Sequence, residues 1–137
     1  MNVFIDAGPL RALVTPQDQW RIKTLEISKE LSRQNAQFLT SDYVLDEVFT
    51  GLLGDPSAGY HRIKELNSLM FKKSTVRTEW ITQERFYRAR LLFIKTAKDK
   101  QWSFTDCTSF VIIKELKIPK VFTFDEHFKQ MGFTILK

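Results

Sequence analysis

Cysteine is nearly absent from this chain of 137 residues, in which Cys107 is the only one. This excludes an internal disulfide framework and is typical of proteins in a reducing compartment. The sequence also lacks any apolar run close to the ~20 residues that a membrane-spanning helix needs, and its start shows no signal-peptide pattern. We therefore expect a cytoplasmic protein without a membrane partner.

Histidine is almost as scarce. Zinc sites draw on histidine and cysteine ligands at short spacings. The chain has only His61 and His127, which lie far apart and have no partner at such a spacing. This distribution argues against a zinc protein.

The overall composition is that of an ordinary globular protein, with 43% hydrophobic and 27% charged residues. We find no linker, internal repeat or low-complexity segment, so we expect a single domain over residues 1–137. Lys and Arg number 21 against 16 for Asp and Glu, and this net charge of +5 suits a polyanionic partner such as RNA. Arg85, Arg88 and Arg90, within one predicted helix, are candidates to hold a phosphate backbone.

Short apolar segments alternate with helical patterns along the whole chain. The strand-like segments are residues 2–5, QFLTS (37–41), STVRTEWI (74–81), KVFTF (120–124) and FTILK (133–137). The segments between them carry apolar residues at helical spacing, with Thr40 or Ser41, Thr82, and Ser103 or Thr105 as N-caps. This alternation predicts an α/β fold whose parallel sheet has helices on both faces.

Acidic residues lie next to several of these predicted elements. Asp6 follows the first strand and Asp125 follows KVFTF, so both are expected at the carboxyl edge of the sheet, where open α/β sheets bind ligands. Asp106 lies in the first turn of a predicted helix. A fourth acid lies in the helix DYVLDEVFTGLL, but periodicity does not choose between Asp46 and Glu47, since both lie off its apolar stripe.

Each acid also has a simpler interpretation. Asp6 and Asp125 are suited to cap the helices that follow them, Asp106 to form a capping box with Ser103, and Glu47 to face solvent. Together, however, several carboxylates at one edge repel one another and raise one another's pKa values, a penalty that a bound cation removes. All-oxygen ligation favours Mg²⁺ or Mn²⁺, which commonly serve phosphoryl chemistry.

Four segments together resemble the successive motifs of PIN-domain ribonucleases, especially the bacterial VapC-type toxins. They are VFIDAGPLRALV, TSDYVLDEVFT, WSFTDCTSFVIIKEL and VFTFDEHFKQMGF, and they extend over nearly the whole chain. The pair FTDCTSF and FTFDEHFKQMGF is the most specific part. The resemblance implies a PIN-like three-layer α/β fold, with a central parallel sheet of about five strands flanked by helices.

The same motifs contain the residues that correspond to the acidic residues of the family. The resemblance implies that Asp6, Glu47, Asp106 and Asp125 are the catalytic and metal-binding residues, and so selects Glu47 over Asp46. It implies Mg²⁺ or Mn²⁺ as the cofactor, as one or two ions, and an endoribonuclease that cleaves RNA phosphodiester bonds by metal-activated water. It also implies a cognate antitoxin protein as partner, as in a VapBC-type pair, and frequent formation of a homodimer.

The first motif departs from the family at one position. The family often has Thr or Ser directly after the first acid, whereas this chain has Ala7 followed by Gly8. Since a hydroxyl there orients a carboxylate or a metal-bound water, we expect backbone groups at Gly8 or the Thr123 side chain to supply that support. The departure also supports an alternative function, a non-catalytic PIN-like module that binds RNA or a protein.

Overall fold

A parallel sheet of five strands forms the centre of the computed structural model, which describes residues 1–56 and 59–136. In chain order the strands are β1 Asn2–Ile5, β2 Gln37–Ser41, β3 Val76–Glu79, β4 Lys120–Phe122 and β5 Ile135–Leu136. Their order across the sheet is β3-β2-β1-β4-β5, and every neighbouring pair is parallel. The predicted α/β fold with its central parallel sheet is therefore confirmed.

Helices flank the sheet and connect its strands. In the described residues they are α1 Ala7–Val14, α2 Arg21–Arg33, α3 Asp42–Leu53, α4 Gly59–Asn67, α5 Gln83–Thr96, α6 Phe104–Glu115 and α7 His127–Gln130. A π-helical segment, Ser68–Lys72, follows α4 directly. Of the helices described here, none combines the length and the apolar character that a membrane crossing requires.

The middle of the sheet is β1, which is apolar on both faces from Val3 to Ile5. Val3, Phe4 and Ile5 are almost completely buried, as expected for a central strand of a parallel sheet. β1 pairs with β2 on one side and with β4 on the other, where Ile5 lies opposite Phe122. The strand order reverses between β1 and β4, which is the position where open α/β sheets bind ligands.

The strand β4 ends earlier than its apolar run predicts. KVFTF predicts a strand to Phe124, but the strand stops at Phe122. The Thr123 amide still donates to Leu136 O at 3.4 Å. The backbone amide of Asp125 then donates to Thr123 Oγ1 at 3.0 Å, and this local turn ends the pairing along the sheet. Asp125 therefore lies three residues beyond the strand rather than directly at its end.

Two other strands are also shorter than their predicted segments. β3 covers Val76–Glu79 of STVRTEWI, and β5 covers Ile135–Leu136 of FTILK, whose last residue, Lys137, lies outside the described residues. Both strands are at the edges of the sheet and pair on one side only, so fewer of their residues are fixed by ladder hydrogen bonds.

Side-chain caps start α3 and α6 at the predicted places. Ser41 Oγ accepts a hydrogen bond from the Val44 amide at 3.1 Å, and Ser103 Oγ accepts one from the Asp106 amide at 3.0 Å. Because each cap satisfies an amide that has no partner within the helix, it fixes where the helix begins. These two starts place the acids of α3 and α6 near the carboxyl edge of the sheet.

Candidate metal centre

A pocket of about 270 Å³ lies where β1 and β4 end, bordered by α1, α3 and α6. It is lined by Asp6, Ala7, Gly8, Arg11, Glu47, Asp106, Thr123, Phe124 and Asp125. Sequence reasoning placed the four candidate acids in four separate segments, and the folded chain brings all of them to this pocket. Their assignment as metal ligands and catalytic residues stays a prediction.

Asp6 is the most buried of the four acids, with 8% of its surface exposed. It occupies the N-cap position of α1 but makes no side-chain capping bond, and its Oδ2 accepts a hydrogen bond from Thr123 Oγ1 at 2.8 Å instead. Burial raises the pKa of Asp6 to about 7. Repulsion from Asp106 and Glu47 adds to the rise, and hydrogen bonds from the Ala7 amide and the Thr123 hydroxyl oppose it.

Thr123 connects Asp6 with Asp125. The register that sets Ile5 opposite Phe122 brings the next residue of each chain segment, Asp6 and Thr123, to the same point of the sheet edge. The fully buried Thr123 hydroxyl donates to the Asp6 carboxylate and accepts from the Asp125 amide at 3.0 Å. The sequence predicts that backbone groups at Gly8 or the Thr123 side chain support Asp6 in place of a hydroxyl at position 7. The structure contains the second of these, a hydrogen bond from the Thr123 hydroxyl to Asp6.

Asp106 uses one carboxylate oxygen for two contacts. Its Oδ2 accepts from the Ser103 amide at 3.1 Å, which completes the predicted capping box, and lies 3.2 Å from Nδ1 of His127. In the part of the chain that the structure describes, Oδ1 has no hydrogen-bond partner and is available to a ligand. Burial raises the pKa of Asp106, the His127 contact opposes the rise, and repulsion from Asp125 adds to it.

Glu47 reaches the pocket from α3, at its open side. It lines the pocket, whereas the neighbouring Asp46 is absent from the described lining residues. Partial burial raises the pKa of Glu47, repulsion from Asp106 adds to this, and the positive charge of Arg11 opposes it. The structure thus places Glu47 rather than Asp46 beside the other acids, which the periodicity of the helix did not decide.

His127 belongs to this cluster and was missed by sequence reasoning. Its amide donates to Asp125 Oδ1 at 2.9 Å, and its Nδ1 lies 3.3 Å from the same oxygen. Ligand atoms of Asp106, Asp125 and His127 all lie within 4.8 Å of one another. His127 has no histidine or cysteine at a short spacing in the sequence, and its neighbours in space are the carboxylates of Asp106 and Asp125. The spacing of the Asp125-x-His127 segment is the signal that points to it.

The donor set fits a divalent cation. Three of the four acids, Asp6, Glu47 and Asp106, have pKa values raised by burial and by repulsion among the carboxylates. A cation in the pocket relieves this repulsion, and carboxylate oxygens are the ligands that Mg²⁺ and Mn²⁺ prefer. His127 contacts two of the acids and fixes their orientation, as residues behind metal ligands commonly do.

Two of the arginines predicted to hold RNA have acidic partners within the chain. Arg85 Nε lies 3.2 Å from each carboxylate oxygen of Glu115, and Arg88 Nη2 lies 2.6 Å from Glu115 Oε1. Arg85 also pairs with Glu79 at 3.1 Å. Their charge is therefore largely compensated within the fold, and they connect α5 to α6 instead of forming an open phosphate-binding surface.

Several solved structures have a similar fold. VapC20 from Mycobacterium tuberculosis, a sarcin-ricin loop cleaving toxin, matches with a TM-score of 0.81 and 23% identity over 96% of each chain. VapBC-1 from nontypeable Haemophilus influenzae matches with a TM-score of 0.71 and 13% identity over 100% of this chain and 98% of that one. VapBC2 from Rickettsia felis, bound to a promoter DNA fragment, matches with a TM-score of 0.70 and 11% identity over 99% and 98%. At these identities the similarity concerns the fold.

A comparison with curated proteins found no match. The sequence profile of the PIN domain, in contrast, matches residues 3–134, which is nearly the whole chain. The matched range includes the four acids of the pocket and the Thr123 hydroxyl that connects two of them. The chain therefore belongs to the PIN domain family.

Proposed function

We propose that the protein is an Mg²⁺- or Mn²⁺-dependent endoribonuclease and the toxin of a VapBC-type toxin–antitoxin pair. The observation that carries this proposal is the convergence of Asp6, Glu47, Asp106 and Asp125 in one pocket, at the point where the strand order reverses. Membership of the PIN domain family supports nuclease activity. The fold similarity to VapC20, a sarcin-ricin loop cleaving toxin, supports RNA as the substrate.

The four acids share the binding of one or two ions in this proposal. A bound divalent ion supplies an activated water and neutralises charge that develops on the phosphate. Asp6, Asp106 and Asp125 would hold it with their carboxylates, and Glu47 would do so directly or through water. Asp106 Oδ1 is suited to this role because the capping box and His127 both use the other oxygen.

Thr123 and His127 position the acids. The Thr123 hydroxyl holds Asp6 at 2.8 Å, and the His127 imidazole lies between Asp106 and Asp125, within 3.3 Å of each. Such contacts restrict the rotation of a ligating carboxylate before the ion arrives. These contacts take the place of the hydroxyl that Thr or Ser would supply at position 7, where this chain has Ala7.

The proposed partners are RNA, a cognate antitoxin protein and a second copy of the chain. VapBC-1 and VapBC2 are toxin–antitoxin pairs with the same fold, which supports the antitoxin. The homodimer and the cytoplasmic location rest on the family resemblance and on the composition of the sequence.

Incubation of the purified protein with a structured RNA tests the function. We expect cleavage with Mg²⁺ or Mn²⁺ and none in EDTA. Glu47→Gln lowers the rate by about tenfold or more, while Asp46→Asn, one residue away and outside the pocket lining, keeps it. Cleavage that persists in EDTA, or a full rate in Glu47→Gln, contradicts the proposal.

The non-catalytic binding module is the second candidate, and Ala7 in the first motif favours it. A pure binder gains nothing from a cluster of repelling carboxylates, which is why we place it second. It predicts that RNA is bound but stays intact in both Mg²⁺ and Mn²⁺. An upward shift of the melting temperature with Mn²⁺ supports the metal-dependent nuclease instead.

A further inference from the structure

A single arginine faces the acids of the pocket. Arg11 lies on α1, little more than one turn after Asp6, and in the described part of the chain it is the only Lys or Arg among the lining residues. Within the described residues, its buried Nε has no hydrogen-bond partner and its side chain forms no ion pair within 4 Å. The positive charge of Arg11 is therefore not neutralised by a direct ion pair within the described residues.

Gly51 makes room for this guanidinium. A Cβ built on Gly51 overlaps Nη2 of Arg11 and lies 3.1 Å from its Cζ, so a larger residue at position 51 displaces the flexible end of Arg11 from its place against α3. Glycine inside a helix weakens it relative to alanine, so its presence in α3 calls for a reason. Gly51 follows Glu47 by one helical turn, which puts both on the same face of α3. The gap at Gly51 thus gives the guanidinium of Arg11 room on the same side of α3 as Glu47.

When a metal ion binds without any other ligand, the position of Arg11 is unfavourable. Its charge lowers the pKa of Glu47, but it also repels any metal ion held by the four acids. A cation placed beside a metal site becomes favourable when the bound ligand is an anion that contacts both. A guanidinium offers several N–H donors that match the oxygens of a phosphate.

We propose that Arg11, whose guanidinium lies in the gap left by Gly51, binds a phosphate of the substrate next to the acidic pocket. The inference rests on the proposed function, because it names the group of the RNA that this site receives. It assigns opposite effects to one charge: Arg11 weakens the binding of the metal alone and strengthens the binding of RNA. A residue that only balances the acids lacks the second effect.

Three variants test this in the full-length chain: Arg11→Gln, Arg11→Lys and Gly51→Ala. Gly54→Ala is the matched control, because it adds the same methyl group near the end of α3, where the nearest atom to its Cβ is 3.7 Å away. Two quantities are measured for each variant. The Kd of Mn²⁺ is obtained by calorimetry without RNA, and the Kd of a fluorescein-labelled RNA hairpin by anisotropy in Ca²⁺.

Arg11→Gln is expected to bind Mn²⁺ several-fold more tightly and the RNA about tenfold more weakly, since it removes the charge and its contact with the phosphate. Gly51→Ala is expected to change both Kd values in the same directions by a smaller factor, because it displaces the guanidinium without removing its charge. Arg11→Lys recovers part of the RNA affinity, because it keeps the charge without the planar donors. Gly51→Ala keeps or raises the melting temperature, which separates the loss of RNA binding from misfolding. Gly54→Ala changes neither Kd.

Unchanged RNA binding in Arg11→Gln, or weaker Mn²⁺ binding in it, overturns the proposal. A Gly51→Ala variant that binds RNA as the wild type does also overturns it. These outcomes differ from a failure of the proposed function, which is a wild-type protein that cleaves no RNA in Mg²⁺ or Mn²⁺. The contribution of Arg11 to the RNA Kd is measured whether or not the wild-type protein cleaves RNA.

Discussion

The hydroxyl of Thr123 and the carboxylate of Asp6, 117 residues apart in the chain, form a buried hydrogen bond of 2.8 Å. The two residues meet because each directly follows a strand, and those strands are neighbours in the sheet. Asp6 has its pKa raised by burial, and this bond is one of the contacts that oppose the rise. The orientation of the deepest acid therefore depends on a residue at the opposite end of the sequence.

Replacing Thr123 with valine keeps the shape of the side chain and removes the hydroxyl. We expect Thr123→Val to lower Mn²⁺ affinity and the rate of RNA cleavage by about 10- to 100-fold, as loss of a group behind a metal ligand typically does. Thr123→Ser keeps the hydroxyl and serves as the control. Equal Mn²⁺ affinities for the valine and serine variants would show that the hydrogen bond has no role in the site.

A hydroxyl restored at position 7 should have little effect on the wild-type protein. Thr123 already donates to Asp6, so Ala7→Ser is expected to change the cleavage rate by only a small factor. The same change in the Thr123→Val background should recover part of the lost rate, because it offers Asp6 a new donor. A large gain in the wild-type background would mean that Ala7 limits activity by another route.

The stability of the metal-free protein should depend on pH through Asp6. Burial raises its pKa from 3.8 to about 7, so between these values the folded chain keeps a proton that the unfolded chain has released. The free energy of unfolding therefore falls as pH rises through this range and levels off above it. Asp6→Asn removes this contribution. In EDTA at pH 8 we expect the variant to be more stable than the wild type by an amount on the order of a few kcal/mol.

Urea denaturation at several pH values measures this effect. The difference in unfolding free energy between Asp6→Asn and wild type should shrink toward zero as the pH falls below the ordinary aspartate pKa of 3.8, because the wild-type carboxyl is then neutral in both states. A difference that does not change with pH would contradict the assigned cause.

Glu115 should contribute stability with the opposite pH dependence. Its pKa is lowered, mainly by the hydrogen bond from Arg85, so its contribution is present above the ordinary glutamate pKa of 4.5 and is lost as pH falls through the lowered folded value. We expect Glu115→Gln to unfold more easily at pH 7 by about 1 kcal/mol and to match the wild type in strong acid. Glu84→Gln, which neutralises a carboxylate whose side chain is 74% exposed, is the control. A constant deficit at all pH values would contradict this account.

Local signals in the sequence predict much of the framework of the site. Asp6 could be placed at the sheet edge because an apolar run stops directly before it, and the capping box of Ser103 and Asp106 follows from their spacing of three. These features depend on neighbours in the chain. The parallel sheet followed from the alternation of strands and helices.

Several features that depend on contacts between distant residues were not predicted. Arg11 reads as an ordinary helical charge until α1 packs beside Gly51, and His127 reads as a lone histidine until α6 brings Asp106 to it. Arg85 reads as a free basic residue, although Glu115 lies 30 positions away in sequence and pairs with it in space. Composition and spacing contain no information on these pairings.

Calorimetric titration of Mn²⁺ into the wild type, Asp106→Asn and Asp46→Asn tests the central claim, that the four acids form a divalent-metal site. Asparagine retains the capping function of position 106, so the variant is expected to fold and to lose only a ligand charge. We predict a clear binding isotherm for the wild type and for Asp46→Asn, and an affinity at least about 100-fold lower for Asp106→Asn. No Mn²⁺ binding by the wild type, or equal affinity in Asp106→Asn, would contradict the account.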